Sequence, residues 1–117
     1  MEKPEILTED CSVAKVQKIL CGKWTTAIVY FLDGRTLRFS ELRKCLPFIT
    51  EANLTRELRF LESKGMIHRE VYKQVPPKVE YSLTELGRGF LPVVEAVQKF
   101  AELYETYEKE SATPSKL

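Results

Sequence analysis

Apolar side chains recur every three or four residues over much of this 117-residue chain, which is the spacing of helices that bury one face. The first predicted helix begins at Ser12 and ends near Gly22. The second runs from Trp24 to about Leu32, where Gly34 supplies the left-handed conformation that commonly ends a helix. Both helices therefore precede the middle of the chain.

The middle of the chain predicts two helices joined by a tight connection. Ser40 is the predicted N-cap of a short helix that Pro47 ends. Thr50 is the predicted N-cap of a longer helix that runs to about Ser63 and stops at Gly65. Its inner face would consist of three leucines, Leu54, Leu58 and Leu61. Two such helices in succession are typical of a helix-turn-helix motif.

Two alternating stretches follow directly and predict a β-hairpin. They cover Met66 to Tyr72 and Lys78 to Leu83. The segment between them ends in two prolines, which have no N–H for a sheet ladder and so cannot continue either strand. A hairpin after the second helix of a helix-turn-helix is the wing of a winged helix.

The last predicted helix is capped by Thr84 and has an apolar seam whose members are alternately four and three residues apart. The seam consists of Leu86, Phe90, Val93, Val97, Phe100, Tyr104 and Tyr107. Pro92 lies inside this helix and should bend it. A domain of this size has no obvious internal surface to cover so long a seam. A second copy of the helix would cover it, which predicts a homodimer with twofold symmetry.

Composition fits one soluble domain, because 44% of the residues are hydrophobic and 30% are charged. The formal net charge is only +1, but residues 34–81 contain ten Lys and Arg against six Glu. The segments on either side are slightly acidic. A basic middle of this kind is the pattern expected where one face meets phosphate groups, although the excess is also common on solvated surfaces.

The predicted fold class is mainly α with a small β-hairpin, a winged helix-turn-helix with N- and C-terminal dimerisation helices. Its single domain covers residues 1–110, with the helix-turn-helix at 39–64, the wing at 66–83 and the dimerisation helix at 84–108, and a frayed tail at 111–117. No apolar run approaches the ~20 residues that span a bilayer, and the N-terminus has no signal-peptide pattern. We therefore expect a cytoplasmic protein without membrane contact.

An enzyme is not expected from this sequence. The five glycines form no phosphate-binding loop, and the one histidine, His68, lies in a predicted strand. No cysteine pair has C-x-x-C spacing and His68 has no ligand-spaced companion, so neither a metal nor a cofactor is expected.

Several stretches resemble the HxlR family of bacterial winged-helix regulators, a branch near the MarR-type proteins. They are Cys11, residues 20–25 (LCGKWT), 38–43 (RFSELR), 54–58 (LTREL) and 76–87 (PPKVEYSLTELG). The resemblance implies a dimeric DNA-binding repressor or activator, often one that responds to oxidants, electrophiles or quinones. In several members the early cysteine is the sensor, which makes Cys11 the redox candidate here. This chain departs from the family at Phe48, where glycine is usual, and at Phe100, near which a tryptophan is common.

A helical projection of residues 50–63 turns Ala52, Arg56 and Arg59 away from the leucine face. Arg56 could contact guanine, Asn53 adenine and Ala52 a thymine methyl group, while Arg59 is better placed for phosphate. A solvated helix face with ordinary charge pairs would have the same sequence. The predicted DNA-binding residues are Thr50, Ala52, Asn53, Thr55, Arg56, Arg59, the wing residues Lys73, Gln74 and Lys78, and Arg38, with Arg35 as a further candidate for backbone contact.

The sequence allows more than one role for the cysteines and more than one kind of effector. A helix N-terminus lowers the pKa of a thiol, which favours a reactive Cys11, but Glu9 and Asp10 oppose this effect. Cys21 is predicted in the core, and Cys45 could be either oxidised or buried. A small ligand between the long helices and the DNA-binding core, and a winged helix that binds protein instead of DNA, are the alternative hypotheses.

Overall fold

The computed structural model describes residues 12–20 and 23–112. The elements in order are α1 (Ser12–Leu20), α2 (Thr25–Leu32), β1 (Leu37–Arg38), α3 (Phe39–Cys45), α4 (Glu51–Ser63), β2 (Ile67–Tyr72), β3 (Lys78–Leu83), α5 (Glu85–Gly89) and α6 (Leu91–Ala112). The arrangement is a winged helix, mainly α with one small sheet, as the sequence predicted. Among the described helices, none is long and apolar enough to cross a membrane.

The core lies where α2, α3 and α4 meet the sheet. Leu54, Leu58 and Leu61 on α4 are 0%, 2% and 0% exposed, which confirms the predicted inner face. Thr25 is the buried polar residue at the start of α2, and its hydroxyl donates to the Ile19 carbonyl oxygen at 3.1 Å. That hydrogen bond satisfies the hydroxyl and joins α1 to α2.

The sheet has three strands in the order β1-β3-β2, and both pairings are antiparallel. The predicted hairpin is confirmed, but the sequence did not predict β1. Arg38 on this strand lies opposite Glu80 of β3. A strand of two residues is too short to show an alternating pattern, so only its pairing with β3 reveals it. Tyr81 and Leu83 of β3 face the core, and Lys78, Glu80 and Ser82 lie on the other face.

The helix starts were predicted correctly at Thr50 but not at Ser40. The Thr50 hydroxyl oxygen accepts from the Asn53 backbone N–H at 3.1 Å. The prediction that Ser40 caps α3 is wrong, because α3 already begins at Phe39 and Arg38 is the cap. Glu41 makes the difference, since its carboxylate accepts from the Arg38 backbone N–H at 2.8 Å.

The single bent helix predicted over residues 84–108 is two helices, α5 and α6, that meet at Phe90. Pro92 is the second residue of α6, where no backbone donor is required, so it helps to start a helix and does not bend one. Thr84 caps α5 as predicted, with its hydroxyl oxygen accepting from the Gly87 N–H at 3.0 Å. Residues 111–112 belong to α6, so the predicted tail begins too early.

Candidate nucleic-acid interface

The outer face of α4 is a cationic surface. Ala52, Arg56 and Arg59 are exposed on it, as the helical projection predicted, while Asn53 and Thr55 are half-buried at its sides. Within residues 12–20 and 23–112, neither the Arg56 nor the Arg59 side chain forms an ion pair or a hydrogen bond. Their guanidinium donors are therefore available to an external partner.

The turn before α4 holds its N-terminus in place and exposes one aromatic ring. Ile49 is 2% exposed and anchors the turn in the core, while Phe48 is 89% exposed. Because the first N–H groups of any helix have no partner inside the helix, the start of α4 after Thr50 can receive an anion. Phe48 was not among the predicted site residues. Its departure from the family's usual glycine was the available signal.

Arg43 joins the two helices of the helix-turn-helix. Its guanidinium donates to Glu51 at 3.0 Å and to the Ile49 carbonyl oxygen at 3.3 Å. The ion pair neutralises the acidic residue at the start of α4, which would otherwise repel a phosphate backbone. Arg43 was not among the predicted site residues, since a contact across eight residues and two helices has no local signature.

The two wing lysines differ in whether their ammonium groups already have partners. Lys73 is exposed and, among the described residues, has no bonded partner. Lys78 contacts Glu80 at 3.2 Å, and its Nζ lies 5.0 Å from the centre of the Tyr72 ring. Gln74 is exposed between them, and its backbone N–H donates to the Tyr72 carbonyl oxygen at 3.0 Å. Lys73 therefore offers the stronger free charge at the wing.

Glu80 is the centre of a polar group on the outer face of the sheet. Its hydrogen bond with Tyr72, together with its negative charge, raises the pKa of Tyr72. Partial burial raises the pKa of Glu80, but hydrogen bonds from Lys78 and Tyr72 and the charge of Arg38 outweigh this effect, and the pKa is lowered. Glu80 is therefore an ionised carboxylate at neutral pH that holds Lys78 in a defined position.

Arg35, the further candidate for a DNA-backbone contact, lies next to Cys45. Arg35 donates to the Phe31 carbonyl oxygen at 3.0 Å and to the Cys45 sulfur at 3.7 Å. Cys45 is half-buried. Cys11 and Cys21 lie outside the described residues. Within the part of the chain that the structure describes, no cluster of His, Cys, Asp and Glu could hold a metal ion.

The predicted dimer residues fall into two groups. Phe90 is 8% exposed and packs in the core of its own chain, so it offers little surface to a partner. The others are exposed on α5 and α6: Leu86, Val93, Val97, Phe100 and Tyr104. From Glu95 to Ala112 every residue of α6 is exposed, which means that this part of the helix projects from the domain.

A groove of about 320 Å³ lies between α2 and α6. Tyr30, Val94 and Val97 are among the residues that line it. Trp24 and Phe31 pack against the core and are not among the residues that line this groove.

Comparison with known proteins identifies the family. The family model for HxlR-like helix-turn-helix proteins matches residues 19–109, which include the complete helix-turn-helix, the wing and most of α6. The chain belongs to this HxlR-like family. The resemblance inferred from the sequence is thereby confirmed.

Relatives of this HxlR-like protein are regulators of transcription. YdeP of Bacillus subtilis, an uncharacterised HTH-type transcriptional regulator, is 51% identical over 82% of this chain and 75% of its own length. A structure described as a MarR-family transcriptional regulator of Porphyromonas gingivalis W83 has a TM-score of 0.81 and 42% identity over 85% of this chain and 97% of its own. The redox regulator HypR in its reduced form has a TM-score of 0.79 and 41% identity, covering 86% and 99%. The protein is thus a transcriptional regulator of the HTH type, in a family of regulators and not of enzymes.

Proposed function

We propose that this HxlR-like regulator binds double-stranded DNA as a homodimer in the cytoplasm. The observation that carries the proposal is the exposed face of α4, where Arg56 and Arg59 have no acidic partner among the described residues. A helix N-terminus and a wing with a free lysine flank this face. Each of these features favours a polyanion over a protein or an apolar ligand.

The recognition helix α4 would lie in the major groove with its N-terminal half against the bases. Arg56 is the candidate for a guanine contact, and Asn53 and Ala52 are the candidates for the neighbouring bases. Arg59, one turn further on, would contact phosphate. The Arg43–Glu51 ion pair supports this arrangement because it holds α4 to α3 and compensates the acidic residue nearest the groove.

The wing would contact the sugar–phosphate backbone beside the recognition helix. Lys73 is the principal cation here, since Lys78 already has Glu80 at 3.2 Å. Arg38 also lies near the Glu80 carboxylate, which reduces its net attraction for phosphate. Among the wing contacts we therefore expect the loss of Lys73 to weaken binding more than the loss of Lys78.

Dimerisation would place the two recognition helices in successive major grooves, which are about 34 Å apart. The projecting part of α6 carries a contiguous aromatic surface, with the Phe100 and Tyr104 ring centres 6.2 Å apart and those of Tyr104 and Tyr107 6.0 Å apart. Exposed rings of this kind are costly in water and are the usual anchors of protein interfaces.

The protein-binding alternative has less support on α4. Phe60 is half-buried, and the Lys64 ammonium lies 5.6 Å from its ring centre, so it is not a free apolar anchor. Glu51, the acidic residue in the first turn of the same helix, is paired with Arg43, and exposed Glu62 lies in its last turn. The exposed charges in the middle of α4, on Arg56 and Arg59, are cationic.

A gel-shift titration with the DNA upstream of the protein's own gene, at two salt concentrations, tests DNA binding. Arg56→Ala should weaken specific binding roughly tenfold or more, because a bidentate base contact contributes about 1–3 kcal/mol. Lys73→Ala should weaken specific and non-specific binding alike. It should also make the slope of log K against log salt concentration shallower by about the value of one phosphate contact. Lys99→Ala is the matched control, since it removes one positive charge from α6.

Equal loss of affinity in all three variants would mean that DNA affinity depends only on net charge. That result would contradict the assignment of α4 as the recognition helix. No specific, salt-dependent binding by the wild-type protein would overturn the DNA proposal and favour the protein-binding alternative.

The dimer is tested separately by light scattering after size exclusion. Phe100→Glu should convert the dimer to a monomer, because it places a charge within the aromatic surface. Lys99→Glu, its neighbour on the polar side of α6, should leave the dimer intact. A wild-type monomer at micromolar concentration, or a dimer that survives Phe100→Glu, would contradict an interface on α6.

An oxidant response through Cys11 is the second part of the proposal, supported by the resemblance and by the similarity to the redox regulator HypR. Diamide should release the protein from DNA and dithiothreitol should restore binding. Cys11→Ser should abolish the response, and Cys45→Ser is the control. A full response in Cys11→Ser would assign the sensor elsewhere, and a protein that ignores diamide would favour an effector in the groove beside Tyr30.

A further inference from the structure

A small polar pocket of about 190 Å³ lies at the end of the sheet where β3 passes into α5. Two arginines line it, Arg35 from the loop before β1 and Arg88 from α5. Thr36 and Ser82 add hydroxyl groups, and Leu32 and Leu83 form an apolar wall. No acidic residue lines this pocket, so its two positive charges are not balanced from within.

Both guanidinium groups are held in place by bonds that leave their charge intact. Arg35 donates to the Phe31 carbonyl oxygen at 3.0 Å and to the Cys45 sulfur at 3.7 Å. Arg88 donates to the Leu83 carbonyl oxygen at 3.1 Å. Since a guanidinium has five N–H donors, each arginine keeps donors for another acceptor. Within the described residues neither forms an ion pair, although Asp33 and Glu85 are close in sequence.

The pocket is separate from the wing, although it includes Arg35, the further candidate for a DNA-backbone contact. It includes Ser82 and Leu83 at the end of β3, whereas the wing tip adjoins Lys78 at its beginning. Five residues of extended strand span about 16 Å. An anion in this pocket would therefore lie well away from the wing tip.

We propose that this pocket binds one small oxyanion, a carboxylate or phosphate group, between Arg35 and Arg88. A planar guanidinium pairs with two oxygen atoms of such a group, and the two hydroxyls can donate to it as well. The volume is below that of ordinary drug-sized sites, about 300–1,000 Å³, which limits the ligand to a small anion.

Occupancy of the pocket would join the DNA-binding core to the start of the dimerisation helices. Arg35 is bonded to α2 and to α3, whereas Arg88 belongs to α5. A shared anion would therefore tie α5 to the core and alter the spacing of the two recognition helices. This regulatory role rests on the proposed function, but anion binding itself does not.

An NMR titration of the full chain without DNA tests the binding site. Inorganic phosphate and benzoate are added in separate series at constant ionic strength, with chloride as the reference anion. We expect saturable shifts of the Gly34, Thr36 and Ser82 amide signals. Arg35→Gln and Arg88→Gln should each weaken binding tenfold or more, and Arg69→Gln, an exposed arginine outside the pocket, should bind as the wild type does.

Saturation with phosphate alone would identify a phosphate-type ligand, and saturation with benzoate alone would identify an organic acid; either result supports the site. Arg88→Lys retains the charge and should bind with intermediate affinity if the Gln variant proves poorly folded. Shifts that do not saturate, that persist in both Gln variants, or that centre on Arg56 and Lys73 would overturn the proposal. Because no DNA is present, a protein that fails to bind DNA could still pass this test.

Discussion

Gly87 tests how closely α5 is packed against the segment that joins α4 to β2. It is buried, and an alanine methyl group at this position would overlap the Met66 carbonyl oxygen and come within 3.2 Å of the Leu83 side chain. The Met66 carbonyl cannot move freely, because it accepts from the Thr84 backbone N–H at 3.2 Å and from the Thr84 hydroxyl at 3.1 Å. Gly87→Ala must therefore displace α5 or break these hydrogen bonds.

The expected cost combines two effects. Overpacking of a closely packed site costs about 1–3 kcal/mol, and the loss of one intramolecular hydrogen bond costs about 1 kcal/mol more. A total of about 2–4 kcal/mol in the free energy of unfolding corresponds to a decrease in Tm of roughly 8–16 °C, at about 4 °C per kcal/mol for a domain of this size. We also expect weaker DNA binding, since α5 leads directly into α6.

Gly89 provides the matched control on the same helix. An added methyl group there meets no atom within 4 Å, so Gly89→Ala should raise the stability by about 0.5–1 kcal/mol through the lower backbone entropy of the unfolded chain. Thermal unfolding followed by circular dichroism at one fixed protein concentration compares the variants, because the Tm of a dimer depends on concentration. If the Tm of Gly87→Ala were equal to that of the wild type or to that of Gly89→Ala, the close contact with Met66 would be refuted.

Three further predictions concern the core, the cap and the wing. Leu58→Ala should lower the free energy of unfolding by about 2–5 kcal/mol in urea titrations, and a loss below 1 kcal/mol would contradict its burial in a packed core. Thr50→Ala should lower the free energy of unfolding by about 1 kcal/mol, because it removes the acceptor of the Asn53 N–H. Thr50→Ser keeps this acceptor and should retain most of the stability, and equal losses in the two variants would argue against a cap. The pKa of Tyr72 is raised chiefly by its hydrogen bond to Glu80. The contribution of this hydrogen bond to stability is therefore complete below about pH 10 and is lost as the pH rises through the pKa of Tyr72 in the folded protein. Glu80→Gln should lower the pKa of Tyr72 towards its ordinary value, as followed by tyrosinate absorbance, with Tyr72→Phe identifying the signal. An unchanged titration in Glu80→Gln would exclude the contact between the two side chains.

Local sequence determined the helix-turn-helix and the wing. The leucines of α4 are spaced so that only a helix buries them together, and the hydroxyl of Thr50 caps the helix within its own chain segment. The prolines at 76 and 77 separate β2 from β3 for an equally local reason, the missing donor. The outward position of Arg56 and Arg59 follows from the same helical geometry, so the candidate recognition face was predictable from sequence alone.

The tertiary structure alone decided the features that depend on residues far apart in the chain. Strand β1 exists because Leu37 and Arg38 pair with β3, and two residues contain no periodic signal of their own. Phe90 has the same spacing as the exposed seam of α6, but the break between α5 and α6 turns it into the core. The pocket of Arg35 and Arg88 likewise joins side chains that are 53 positions apart. Periodicity records which side of an element is apolar, whereas packing determines which neighbour covers that side, and only the folded chain brings those neighbours together.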